Sequence, residues 1–136
     1  MTPGPTPLPP EVISVMSQQI IHHRTKEFAD IFARVNKNLM QVFKTKNSIL
    51  TFASSGTGAM EASVVNFFSE NDTVLVISVG VFGERYINIC KAYGLNVIEK
   101  RYQYGQIANI DEIIEILEND QNKNIRGVFI THNETS

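Results

Sequence analysis

Between Phe28 and Phe43 the apolar positions Phe28, Ile31, Phe32, Val35, Leu39, Val42 and Phe43 recur at spacings of three, four and seven. That period predicts an amphipathic helix. Lys26, Arg34, Lys37 and Lys44 fall mostly off its stripe, so one face is expected buried and the other wet. Upstream, Val12, Ile13, Val15, Met16, Ile20 and Ile21 supply a shorter helix that Pro10 can open, since the first helical positions have no intrahelical partner for their amides. His22, His23 and Arg24 interrupt it.

Beyond Asn47 the pattern changes to strand, loop and helix in alternation. Residues 48–53 form a short apolar run that ends at Ser54-Ser55-Gly56-Thr57-Gly58, and a helix follows with Met60, Val64, Val65, Phe67 and Phe68, expected to end near Asn71. Residues 73–78 are β-branched and apolar nearly throughout, as suits a strand covered on both faces. Gly80-Val81-Phe82-Gly83 reads as a second loop before a helix marked by Tyr86, Ile87, Cys90 and Tyr93, with Gly94 as its C-terminal cap. A third strand over 95–98 and a turn at Tyr104-Gly105 come next. Asn109 or Asp111 can cap a helix carrying Ile110, Ile113, Ile114 and Leu117, and residues 127–131 make a fourth strand. Alternating strands and helices predict an α/β architecture with a mostly parallel sheet and helices on both faces. In such sheets ligands gather at the carboxyl ends of the strands. Three loops leave those ends: 54–58, 80–83 and 132–136.

Composition narrows the function classes. The 136 residues are 43% hydrophobic and 19% charged with a net charge of −2, which fits one globular unit or a piece of one. There is no basic excess for nucleic acid and no run of about 18 apolar residues for a membrane span, and the proline-rich start has neither the charged beginning nor the apolar stretch expected of a signal peptide. The single cysteine cannot form an internal disulfide, which fits a cytoplasmic setting.

The 54–58 loop carries the sharpest chemistry. Glycine admits close approach to the backbone, and a helix start presents unpaired N–H groups with partial positive charge. Ser55 and Thr57 add hydroxyl donors. This is a small phosphate site, or else simple helix capping; the loop alone leaves both open. No lysine follows Gly58 as a Walker loop requires, and Glu61 stands where a dinucleotide fingerprint has its third glycine. Glu61 is expected to cap the helix or pair with a buried amide. Phe82, flanked by glycines, either offers a flat face to a planar ligand or plugs the top of the sheet. Arg85 opens the next helix against its dipole and should have an acidic partner. In the last loop His132 and Glu134 are too few for a metal site, and none is expected; a hydroxyl contact from Thr135 to a ligand fits better.

The motifs occur in one order: the proline-rich opening from Thr2 to Pro10, the His23-Arg24 pair, Ser55-Gly56-Thr57-Gly58-Ala59-Met60-Glu61-Ala62, Gly80-Val81-Phe82-Gly83-Glu84-Arg85 and His132-Asn133-Glu134-Thr135-Ser136. Together they resemble the N-terminal part of a class V aminotransferase of the alanine–glyoxylate and serine–pyruvate group. The resemblance implies part of the large domain of a fold-type-I transferase, usually a homodimer, that binds pyridoxal 5′-phosphate. It divides the chain into an arm with the first helix, residues 1–25, and an incomplete coenzyme-binding domain, residues 26–136. It implies that Ser55, Gly56 and Thr57 hold the coenzyme phosphate, that Phe82 stacks on the pyridine ring, and that Thr135, with Ser136 beside it, contacts the ring oxygen. The substrates implied are an amino acid, alanine or serine, and glyoxylate or another 2-oxo acid.

The family's Schiff-base lysine, its acidic partner for the pyridine nitrogen and its carboxylate-binding arginine match no position here, so the chain by itself is expected to be catalytically silent and marginally stable. Residues 48–53 would lack the strand that pairs with them in the family. Three alternatives are weighed against the transaminase: a pyridoxal enzyme of another reaction type, such as a cysteine desulfurase; a non-catalytic module that binds a partner or nothing; and a nucleotide binder.

Overall fold

In a computed structural model the described residues, 4–135, form five helices and a three-stranded parallel sheet. Thr2, Pro3 and Ser136, named above in the motifs, lie outside them. Contacts group the described chain into two compact units, residues 4–53 and residues 54–135. The expected arm boundary at residue 25 falls inside the first unit, between its two helices.

The first unit holds α1 (Pro10–Met16) and α2 (Lys26–Val42). Pro10 occupies the first turn of α1, and the amides of Val12 and Ile13 donate to the Pro9 carbonyl. The helix stops at Met16, short of Ile20 and Ile21, where Ser17 turns its hydroxyl back onto the Ser14 carbonyl. α2 starts on Thr25, whose hydroxyl accepts the Phe28 amide at 3.3 Å. Its apolar stripe departs from expectation: no residue of α2 is buried, and Phe32 keeps 44% of its surface. This unit has no second long helix or sheet to lay against the stripe.

Residues 48–53 likewise do not form the expected strand. A strand needs a neighbour for its amides and carbonyls, and no ladder reaches this run. Instead Asn36 of α2 clamps it: its side-chain amide donates to the Ile49 carbonyl at 2.6 Å, and its oxygen accepts from the Ile49 amide.

The second unit runs α3 (Gly56–Val65), β1 (Thr73–Ser78), α4 (Val81–Ala92), β2 (Asn96–Arg101), α5 (Ile110–Asn119) and β3 (Ile125–Ile130). The strand order is β2-β1-β3, with Thr73 opposite Asn96 on one side and Val74 opposite Gly127 on the other. Central β1 is buried from Val74 to Ser78, as its unbroken apolar run requires. Val74 and Val76 face a core completed by Val64 of α3, Ile87 and Cys90 of α4, Leu95 and Phe129. The edge strands alternate, so Ile98, Val128 and Ile130 remain largely exposed.

Two sequence expectations are corrected here. α3 ends at Val65, so Phe67 and Phe68 belong to the turn after it, where Phe68 packs against Phe129 with ring centroids 5.4 Å apart. The Gly80–Gly83 stretch is not a loop; Gly80 precedes the helix and Val81, Phe82 and Gly83 form its first turn. Gly94 adopts φ +73°, the left-handed conformation that ends α4, where a side chain would be strained.

Cys90 lies at the centre of the core, and loss of hydration pushes its thiol up to about 11. It should therefore stay neutral and inert. Iodoacetamide is expected to label it only in denaturant, as read by mass; rapid labelling of the native chain would contradict the core described here.

Candidate functional site

At the carboxyl ends of β1 and β3 lies a cavity of about 440 Å³, lined by Gly56, Met60, Phe82, Tyr86, Ile130, Thr131, His132 and Asn133. All belong to the second unit. Residues of three stretches widely separated in sequence therefore converge: the start of α3, the first two turns of α4 and the segment after β3.

Of the helix starts in this unit, α3 differs from the other two. The start of α5 is closed by Asn109, whose side-chain oxygen accepts the Asp111 amide at 3.0 Å. The start of α4 is closed by Glu134, whose carboxylate accepts from the amides of Phe82 at 3.0 Å and Gly83 at 3.1 Å. A carboxylate there complements the positive end of the helix. α3 has no side-chain cap: Ser55 stands before it in an extended conformation with its hydroxyl not bonded to the helix amides. A Cβ placed on Gly56 would meet nothing within 4 Å. This helix start is thus open beside the cavity, where the other two are filled by the protein's own side chains.

Gly56 and Phe82 both line the cavity. Thr57 is half-buried and bound by Arg85, whose Nη1 donates to its Oγ1 at 2.7 Å. Ser55 and Thr135 are exposed and outside the lining, and Thr135 donates its amide to the Glu134 carboxylate. Among the described residues Arg85 has no acidic partner of the kind expected of it; it binds Thr57, and its guanidinium lies 5.0 Å from the centroid of the Phe82 ring. Glu61 neither caps α3 nor meets a buried amide: it accepts the hydroxyl of Tyr93, tying α3 to the far end of α4 and raising the phenol's pKa. Glu134, weighed from sequence only as a metal ligand, is spent on the α4 amides.

Thr131 is a residue that sequence reasoning passed over as the end of a strand. Its hydroxyl oxygen is buried and has no hydrogen-bond partner among the described residues, and Thr131 lines the cavity. A buried hydroxyl without a partner is costly in a finished structure, and a polar ligand in the cavity would satisfy it. One step along α4, Glu84 anchors the helix to the sheet. Its carboxyl is held below the usual range, first by Arg101, which donates to both oxygens at 3.0 Å, and then by the Ser78 hydroxyl at 2.7 Å.

No family model matches the chain. It is 42% identical over all its length to a soluble hydrogenase 42 kDa subunit of Anabaena cylindrica, covering 36% of that protein. It is 40% identical to an uncharacterized aminotransferase of Methanocaldococcus jannaschii, covering all of this chain and 35% of that one. Further relatives include serine–glyoxylate and L-aspartate–glyoxylate aminotransferases. Among solved structures, alanine–glyoxylate aminotransferase from Nostoc superposes with a TM-score of 0.76 at 28% identity, over 87% of this chain and 32% of that one. The chain spans about a third of the length of the curated relatives it matches.

Proposed function

We propose that this chain, a homologue of class V aminotransferases of the serine and alanine–glyoxylate type, forms the coenzyme-binding part of a pyridoxal 5′-phosphate-dependent transaminase. The whole protein, a homodimer in this reading, would move an amino group from alanine or serine to glyoxylate or another 2-oxo acid.

The observation that carries the proposal is the uncapped start of α3 beside the cavity under Phe82. Its residues fit the coenzyme by their chemistry. A helix start with free amides favours a phosphate dianion, and the hydroxyls of Ser55 and Thr57 add donors. Phe82 offers an aromatic face for a flat ring. The unpartnered Thr131 hydroxyl, with Thr135 further along the same segment, offers hydrogen bonds to polar atoms of that ring. A cavity of about 440 Å³ is of the size small-molecule sites commonly have. When bound, the coenzyme supplies the electron sink that transamination needs. The part of this chain's residues is to bind and orient it; the reactive lysine matches none of the motif positions described here, and the reaction is assigned to the whole protein.

Calorimetric titration of the chain with pyridoxal 5′-phosphate and with pyridoxal tests this reading. Binding should depend on the phosphate, and Thr57→Val should weaken the phosphate form roughly tenfold, the scale of one hydrogen bond to a charged group. Equal affinity for both ligands, or an unchanged affinity in the variant, would contradict the phosphate site. Binding of neither would favour a non-catalytic module.

A further inference from the structure

We propose that Arg85 is a positioning residue of the phosphate site and acts on the phosphate through Thr57. The proposal rests on the coenzyme reading above and adds to it a residue outside the cavity lining. Arg85 sits in the second turn of α4, and its Nη1 reaches across to the Oγ1 of Thr57 at 2.7 Å.

A guanidinium has donors and no acceptor, so the direction of that bond is fixed. The Thr57 oxygen accepts, and its own proton is turned away from Arg85. A threonine hydroxyl at a helix start ordinarily chooses between accepting a helix amide and donating outward. Here Arg85 takes one of the two lone pairs of the Thr57 oxygen and leaves the hydroxyl proton free to donate outward. The positive charge behind it also polarises the O–H bond and strengthens the bond it donates next.

The second contact of Arg85 keeps the guanidinium in place. It lies 5.0 Å from the centroid of Phe82, within the range of a cation–π attraction. One side chain therefore bridges the proposed phosphate donor and the proposed ring platform, which come from different helices. Neither 54–58 nor the cavity lining contains lysine or arginine, and His132 is the one basic side chain of that lining. A cation in the early turns of a helix is unfavourable on its own, and an anion at the start of α3 would relieve that cost.

The test compares Arg85→Met, Arg85→Lys, Thr57→Val and the double variant in the full chain, with pyridoxal 5′-phosphate, pyridoxal and inorganic phosphate as probes. Thermal melting checks that each variant is folded. Arg85→Met is expected to weaken the two phosphate-bearing probes roughly tenfold and leave pyridoxal unchanged, and Arg85→Lys should recover part of the loss, because the ammonium keeps a charged donor but gives up the planar guanidinium beside Phe82. In the Thr57→Val background, Arg85→Met should cost little more, since both act through one bond. Equal weakening of pyridoxal and its phosphate, or losses that add in full, would overturn the proposal. If the unsubstituted chain binds no phosphate-bearing probe, the coenzyme reading itself fails and takes this role with it. Should Arg85→Met not fold, the Arg85→Lys and Thr57→Val pair still decides: Arg85→Lys weakening all three probes alike overturns the role.

Discussion

Gly83→Ala is expected to destabilise the second unit by about 2–3 kcal/mol, read as a lower urea midpoint with an unchanged slope. A Cβ at Gly83 would lie 2.6 Å from the Cα of Ser78 and 2.8 Å from its hydroxyl oxygen. The nearest obstacle is backbone of the central strand, so no rotamer change can relieve it. α4 would have to lift from β1, straining the bonds from Glu84 to Ser78 and Arg101 that tie its first turns to the sheet. Alanine is the better helix former by about 1 kcal/mol, and the expected loss is what remains after that gain. Gly56→Ala is the matched control. Its Cβ would meet nothing within 4 Å, so stability should change by no more than about 0.5 kcal/mol. Equal midpoints for the two variants would remove the close helix–strand approach from the account of this fold.

That glycine also shows what was legible in the sequence. Local patterns were sufficient where one segment decides its own state. The run of 73–78, apolar from Val74 to Ile77, forms the central strand, buried from Val74 on, and Asn109 caps the amphipathic helix α5. They failed where the outcome depends on a neighbour. Residues 48–53 have a strand's composition, but composition supplies no partner, and Asn36 takes the carbonyl and amide of Ile49 instead. Gly80 and Gly83 look like loop punctuation in the sequence because glycine is costly in helices. Gly83 is there because α4 lies too close to β1 for any side chain. The stretches 54–58, 80–83 and 132–135 stand out locally by their Ser, Thr and Gly content, and Gly56, Phe82, His132 and Asn133 from them line one cavity, although 80–83 is the start of α4 and not a loop. Their mutual contacts do not stand out: Arg85 with Thr57 and Glu134 with Phe82 join residues far apart in the chain, whereas charge type alone points Arg85 to an acid and leaves Glu134 without a role once a metal site is set aside.

Glu134→Ala is expected to cost about 2–3 kcal/mol and to loosen the candidate site as well as the fold. The carboxylate accepts from the amides of Phe82 and Gly83 and from that of Thr135. Charge-assisted bonds of this kind are worth roughly 1.5–3 kcal/mol each in favourable settings. Water reaching the freed helix start would return part of that, which sets the expected total near the cost of one such bond. Glu134→Gln separates the two components. It keeps an acceptor oxygen and removes the charge that complements the helix start, so it should lose about half as much. Hydrogen exchange gives the specific readout: the amides of Phe82 and Gly83 should lose protection in Glu134→Ala while those of β1 follow only the global change. Because one carboxylate holds both the turn that carries Phe82 and the segment that carries Thr131, its removal should also weaken pyridoxal and pyridoxal 5′-phosphate alike. That pattern is distinct from the phosphate-selective loss expected of Thr57 and Arg85. Preserved protection at Phe82 and Gly83 in the alanine variant would show that something other than Glu134 closes α4, and the contrast with the open start of α3 would lose its basis.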